Sequence, residues 1–147
     1  MSQYNVSNEI INEVVSNFKG VEHRLEYVDT VNGVEYYNDT EATNIKCTQI
    51  ALSSFNRPII IFLGGLERGQ DFNELTPYMD NVKTVIAIGE CRNRVEEYAK
   101  SISVEFMETS ALKKINVKEA FTTVVHDFLL KSETNNEKKG WLSCPCF

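Results

Sequence analysis

The segment that most constrains this chain is Pro58-Ile59-Ile60-Ile61-Phe62-Leu63-Gly64-Gly65. Its β-branched residues are stiff at χ1 and favour extended backbone. A strand with one wet face alternates apolar and polar residues, whereas an unbroken apolar run must be covered on both faces, as in a parallel sheet. Val82 to Ile88, closed by Gly89, repeats the device, and Val104 to Met107 repeats it more weakly. Asp71 to Tyr78 and Cys91 to Ser103, lying between these runs, read as helices. Strands alternating with helices predict a βαβ architecture with right-handed crossovers, that is, an α/β fold with a mostly parallel sheet.

The flanking segments add detail. Ile10, Ile11, Val14, Val15 and Phe18 have the spacing of an amphipathic helix over Asn8 to Phe18, with Ser7 as N-cap and Gly20 as stop. Leu25 to Tyr37 reads as two short strands around Asn32-Gly33, a two-residue hairpin signal, which gives the sheet an antiparallel edge. Thr43 or Asn44 can cap a helix carrying Ile45, Ile50, Ala51, Leu52 and Phe55. A last helix is expected from about Asn116 to Leu130, burying Val117, Ala120, Phe121, Val124, Val125 and Phe128. After Lys131 the polar run Ser132-Glu133-Thr134-Asn135-Asn136-Glu137-Lys138-Lys139 predicts a disordered tail over 132–147.

One domain's worth of chain, 147 residues, suffices for a core without staples. The net charge of −6 leaves no electrostatic footprint for nucleic acid. No apolar run approaches the roughly 18 residues a membrane helix needs, and Met1-Ser2-Gln3-Tyr4-Asn5 has no signal-peptide pattern, so a cytoplasmic location is expected. Cys47 and Cys91 stand alone and read as inert thiols, and the terminal Cys144-Pro145-Cys146 is too little for a zinc site; no metal ligands are assigned. His23 and His126, the two histidines, are about a hundred residues apart and suggest no Cys–His chemistry; no catalytic residue is assigned.

In an open parallel sheet, ligands bind at the carboxyl ends of the strands. Gly64-Gly65-Leu66-Glu67-Arg68-Gly69 falls there, offering close backbone approach and a cation. Asn38-Asp39-Thr40-Glu41-Ala42-Thr43-Asn44 falls between a strand and a helix N-terminus, where free amides can hold an anion. Together with Lys19-Gly20-Val21-Glu22-His23-Arg24, these segments stand in the order and spacing of one family. From about Val6 to Gly89 the chain resembles the Mur ligases, in the branch that adds D-glutamate to UDP-N-acetylmuramoyl-L-alanine in peptidoglycan precursor synthesis. The resemblance implies a Rossmann-like three-layer C-terminal domain over 21–131, preceded at 1–20 by a remnant helix of the central domain. Such a domain closes over ATP and helps bind D-glutamate. Arg24 and Asp39 would then contact ATP, with Thr43 and Arg68 along the phosphate and amino-acid side of the cleft. A guanidinium suits phosphate, and a carboxylate suits ribose hydroxyls. The partners implied are a nucleotide and a UDP-sugar peptide precursor, with Mg²⁺ held only by the central domain.

Departures from the family pattern are also visible. Glu41 stands where the family's Asp-Ser-Lys-Ala-Thr-Asn motif has lysine, and repels an anion by about 1 to several kcal/mol according to local dielectric. Glu67 replaces an aspartate, and neither the Gly-Lys-Ser/Thr phosphate loop nor the late Ser-Pro-Ala-Cys-Ala-Ser motif is found. From about residue 95, Glu96 to Leu112 and Asn116-Val117-Lys118-Glu119-Ala120-Phe121 are similar to the end of a Rab-type small GTPase. That resemblance implies that Thr109-Ser110-Ala111 lies where a guanine base would be contacted, although no other GTPase motif accompanies it. Cys144-Pro145-Cys146-Phe147 has the frame of a C-a-a-X prenylation box at Cys144, with Lys138 and Lys139 upstream and Pro145 off the aliphatic pattern. Membrane attachment would follow only from that modification. The sequence thus reads as a hybrid, Mur-ligase-like over 21–94 and GTPase-like over 95–131. Two functions follow from it: an ATP-dependent ligase's lid domain, inactive alone, or a non-catalytic α/β scaffold or binding module.

Overall fold

A computed structural model of the chain describes residues 6–122 and the backbone of 141–145. Its elements are α1 (Asn8–Asn17), β1 (Glu26–Val31), β2 (Val34–Asp39), α2 (Ile45–Ser53), β3 (Ile59–Gly65), a 3-10 segment (Phe72–Tyr78), β4 (Val82–Gly89), α3 (Arg92–Ser101), β5 (Glu105–Glu108) and β6 (Trp141–Pro145). Residues 117–122 are helical, and the rest of the helix expected to Leu130, with His126, lies outside the described residues. One sheet has the strand order β1-β2-β6-β3-β4-β5. Among the described strands only the β1–β2 pair is antiparallel.

The run at 59–63 is buried on both faces, and alternation divides it between two cores. Ile59, Ile61 and Leu63 join residues of α2, the 3-10 segment and α3, including Leu52, Leu75, Val95 and Tyr98. Ile60 and Phe62 face the other way, onto Val34, Ile86 and Ala120 of the 117–122 helix. Helical layers therefore cover both faces, as the unbroken apolar run requires. Each fully buried aliphatic side chain contributes about 1.5–3 kcal/mol.

Local signals account for the element ends. Asn32 (φ 53°) and Gly33 (φ 78°) are both left-handed, as a two-residue primed turn needs. Ser7 caps α1 by accepting the Ile10 N–H, and Asn44 caps α2 by accepting the Cys47 N–H. Three apolar faces differ from expectation: in the 117–122 helix Ala120 is buried but Val117 and Phe121 are exposed. Ile50 is exposed, because Ile45, Thr48, Gln49 and Leu52 form the stripe that meets the sheet. In α1 no residue is buried, although its Ile10, Ile11, Val14 and Val15 lie at the expected helical spacing.

The tail expected over 132–147 lies mostly outside the described residues, and within it 141–145 runs as β6, parallel to β2 and β3. Cys144 is thus a strand residue, in register with Asn38. Lys138, Lys139, Cys146 and Phe147 lie outside the described residues. Among the described residues no helix is long and apolar enough to cross a membrane.

Because Ile61 sits within one closed core at the sheet centre, Ile61→Ala should lower unfolding free energy by about 2–5 kcal/mol. Urea denaturation will read this as a lower midpoint with an unchanged slope, and a loss below about 1 kcal/mol would contradict a sealed core there.

Candidate functional site at the carboxyl ends of the strands

The loop that carries Arg24 is held in an unusual shape. His23 (φ 61°) and Leu25 (φ 45°), on either side of it, are both left-handed, a conformation that costs a non-glycine residue about 1–2 kcal/mol. Four bonds hold the loop there. The His23 N–H donates to Glu26 Oε2 (2.8 Å), and the Glu41 N–H donates to the His23 carbonyl (3.1 Å). Asn38 Nδ2 lies 2.8 Å from His23 Nδ1, and the Leu25 N–H donates to Asp39 Oδ1 (3.0 Å). Arg24 itself is exposed and its Nη1 reaches Cys47 Sγ at 3.6 Å, which places the guanidinium against the first turn of α2.

Asp39 ends β2 and is 6% exposed. Burial raises its carboxyl above the usual aspartate range, while the Leu25 N–H and the Arg24 charge pull it back. A carboxylate so covered meets the Arg24 loop before it meets solvent. Glu41, by contrast, is exposed, so its charge is screened by water.

The second half of the site begins where β3 and β4 end. A Cβ on Gly64 would lie 2.1 Å from the Ile88 carbonyl oxygen, and one on Gly89 would lie 2.5 Å from that of Gly65. Only glycines allow the two strand ends to approach this closely before the chain turns out. The turn carries Leu66 to Gln70 over the sheet edge, with Arg68 exposed. A small cavity of about 30 Å³ is lined by Thr43, Thr48, Gly64, Arg68, Gln70 and Arg94, among others.

The structure therefore brings Thr43 and Arg68 to one cavity and Arg24 and Asp39 to one loop, with α2's first turn between them. Cys144, in β6, belongs to neither group. Sequence reading missed Arg94, which lines the cavity from α3, and Gln70, whose Nε2 donates to the Thr43 carbonyl (2.9 Å). In the sequence Arg94 is an ordinary cation on a helix, and nothing in its spacing marks it. Thr109 is buried with its N–H on the Ala87 carbonyl (2.9 Å), and with Ser110 and Ala111 it lines a separate apolar cavity of about 510 Å³ beside Phe62 and Phe121. Among the described residues no cluster of three or more His, Cys, Asp or Glu could hold a metal ion.

These features define an α/β domain whose mostly parallel sheet presents two cation-bearing loops at its carboxyl edge. The chain belongs to the family described as "Mur ligase, glutamate ligase domain", which it matches over residues 23–132. It is 44% identical over 102 residues to the UDP-N-acetylmuramoylalanine–D-glutamate ligase of Bacillus subtilis (strain 168), covering 69% of this chain and 23% of that protein. The protein so named in Bacillus thuringiensis (strain Al Hakam) is 43% identical over 104 residues, covering 71% of this chain and 23% of its own length. The chain thus spans about a quarter of these curated relatives. Among solved structures, the UDP-N-acetylmuramate-alanine ligase MurC of Thermotoga maritima shares the fold, with a TM-score of 0.56 at 12% identity over 92% of this chain and 29% of that one. The family match, over residues 23–132, takes in the stretch after residue 95 expected from its sequence to be GTPase-like, and nothing in these comparisons shows a small-GTPase segment.

Asp39→Ala should cost about 1–3 kcal/mol, because the part-buried Leu25 N–H loses its acceptor. Asp39→Asn keeps an acceptor and should cost less. The raised carboxyl means that the folded state holds the proton more tightly than the unfolded chain. Its contribution is therefore greatest below the unfolded value and falls as pH rises through the folded one. Thermal melts from pH 3 to 7 will show that component of the slope vanish in Asp39→Asn; an unchanged profile would mean that Asp39 is not so buried.

Proposed function

We propose that this chain is the lid domain of an ATP-dependent amide ligase that adds D-glutamate to UDP-N-acetylmuramoyl-L-alanine. The observation that carries the proposal is the meeting of Thr43 and Arg68 at one cavity, in a chain 44% identical to a protein named for that reaction. Making an amide from a carboxylate requires activating the acid, here as an acyl phosphate, and delivering an amine to it. A lid contributes by holding anions in place and neutralising the charge that builds up as phosphate moves. Arg24, on its braced loop, would grip the nucleotide. Asp39 would fix that loop from beneath, and any contact with ribose would be made at its exposed margin. Thr43 and Arg68 would receive phosphate or the carboxylates of the incoming amino acid. The phosphate loop and the Mg²⁺ that accompanies ATP belong to a separate domain, so the chain alone would bind without turning over.

Glu41 is the observation that favours the second reading, a non-catalytic α/β module. One like charge near an anion costs about 1 kcal/mol in water and about 4 kcal/mol near a protein surface, at 4 Å. Glu41 is exposed at the protein surface, so its repulsion lies between these figures and ATP binding is expected to be weak.

Calorimetric titration of the purified chain separates these readings. Millimolar ATP binding is expected, with loss in Arg24→Ala and a gain of about fivefold or more in Glu41→Lys. If neither the chain nor Glu41→Lys binds ATP, the module reading stands and the lid reading falls.

A further inference from the structure

The two loops of the site are joined through a third element. Gln70 Nε2 donates to the carbonyl of Thr43, and the carbonyl of Gln70 accepts from Arg94 Nη2. Arg94 Nη1 reaches Glu67 Oε1 at 2.5 Å, and the same oxygen accepts the Gly69 N–H at 2.7 Å. Arg94 is itself seated, its Cζ 5.4 Å from the centroid of the Phe72 ring. The Glu67 N–H donates to Glu90 Oε2 at 3.3 Å, tying the base of the turn to the end of β4. Arg68 therefore projects from a turn anchored on both sides, and among the described residues its guanidinium has no ion-pair partner.

We propose that Arg94 and Gln70 are positioning residues that fasten the β2–α2 loop and the Gly64–Gln70 turn into one rigid receptor, fixing how Thr43 and Arg68 stand to each other. The inference rests on the reading of that cavity as an anion site. Gly69 leaves the turn beyond β3 free to wander unless it is tied, and a wandering Arg68 would have to be ordered anew each time an anion binds. The forked guanidinium is essential to the tie, because one planar group bonds a carboxylate and a backbone carbonyl at once. A lysine keeps the charge but not the fork. Hydrogen bonds to Gly69 and Arg94 hold the Glu67 carboxyl below the usual glutamate range, so the tie is intact at neutral pH.

The test uses the full ¹⁵N-labelled chain, with ATP as probe. Amide shifts report binding, and hydrogen exchange of Gly69 reports the tie. Arg94→Lys and Arg94→Gln should each weaken ATP by about tenfold and speed Gly69 exchange by a similar factor, with the thermal midpoint little changed. Gln70→Ala should weaken ATP comparably, and combining it with Arg94→Gln should add little, since both break one chain of contacts. Wild-type affinity in Arg94→Lys would overturn the proposal by showing that charge alone matters. Full additivity of Gln70→Ala and Arg94→Gln would overturn it as well. If the unmodified chain binds no ATP, the lid reading fails separately, and Gly69 exchange alone decides the tie: unchanged exchange in Arg94→Gln refutes it.

Discussion

Everything in this domain depends on a strand that has no wet face. β3 sends Ile59, Ile61 and Leu63 into one core and Ile60 and Phe62 into the other, so neither helical layer can be removed without exposing half of it. Near its end the same strand carries Gly64, whose missing Cβ lets β4 come close, and after Gly65 the chain leaves the sheet as the turn that carries Arg68. Core and site are thus consecutive parts of one segment. The apolar run fixes where the strand lies, and the glycines fix where it stops.

At the neighbouring edge the same effect is reached by different means. Asp39 ends β2 inside the protein, and its carboxylate holds the backbone of Leu25. Left-handed residues on either side of Arg24 store strain that four hydrogen bonds offset, the arrangement expected where a side chain must be presented in one pose. Glu41 sits on the opposite side of this balance: under the proposed anion-binding role, one exposed charge opposes the cations of the two loops. The fold of the family persists beside a residue whose charge differs from the family's lysine at that position.

The stretch after residue 95, expected from its sequence to be GTPase-like, has a form that many α/β sheets share. A parallel strand followed by a crossover helix is interchangeable among α/β sheets, and β5 with the 117–122 helix has that form. Glu108 at the end of β5 is held by Arg92 of α3 (2.7 Å), and Ala120 packs on Phe62's side of β3, so this unit is built into the sheet. Short helical and strand patterns cannot separate two families that bury such a unit alike. The family match, over residues 23–132, includes this unit.

The sequence by itself determined the elements whose signals are local: the doubly buried β3 and β4, the Asn32-Gly33 hairpin, the Ser7 and Asn44 caps, and the family to which the loops belong. Those features depend on φ/ψ preference and periodicity, which a few adjacent residues carry. Only the tertiary structure decided that Asp39 is covered, that Ile50 and the apolar face of α1 are exposed, and that 141–145 fills the sheet between β2 and β3. It alone revealed Arg94 and Gln70, whose partners Glu67 and Thr43 are each 27 residues away in sequence. Contacts of that range depend on where loops carry the chain, and no local pattern records the path.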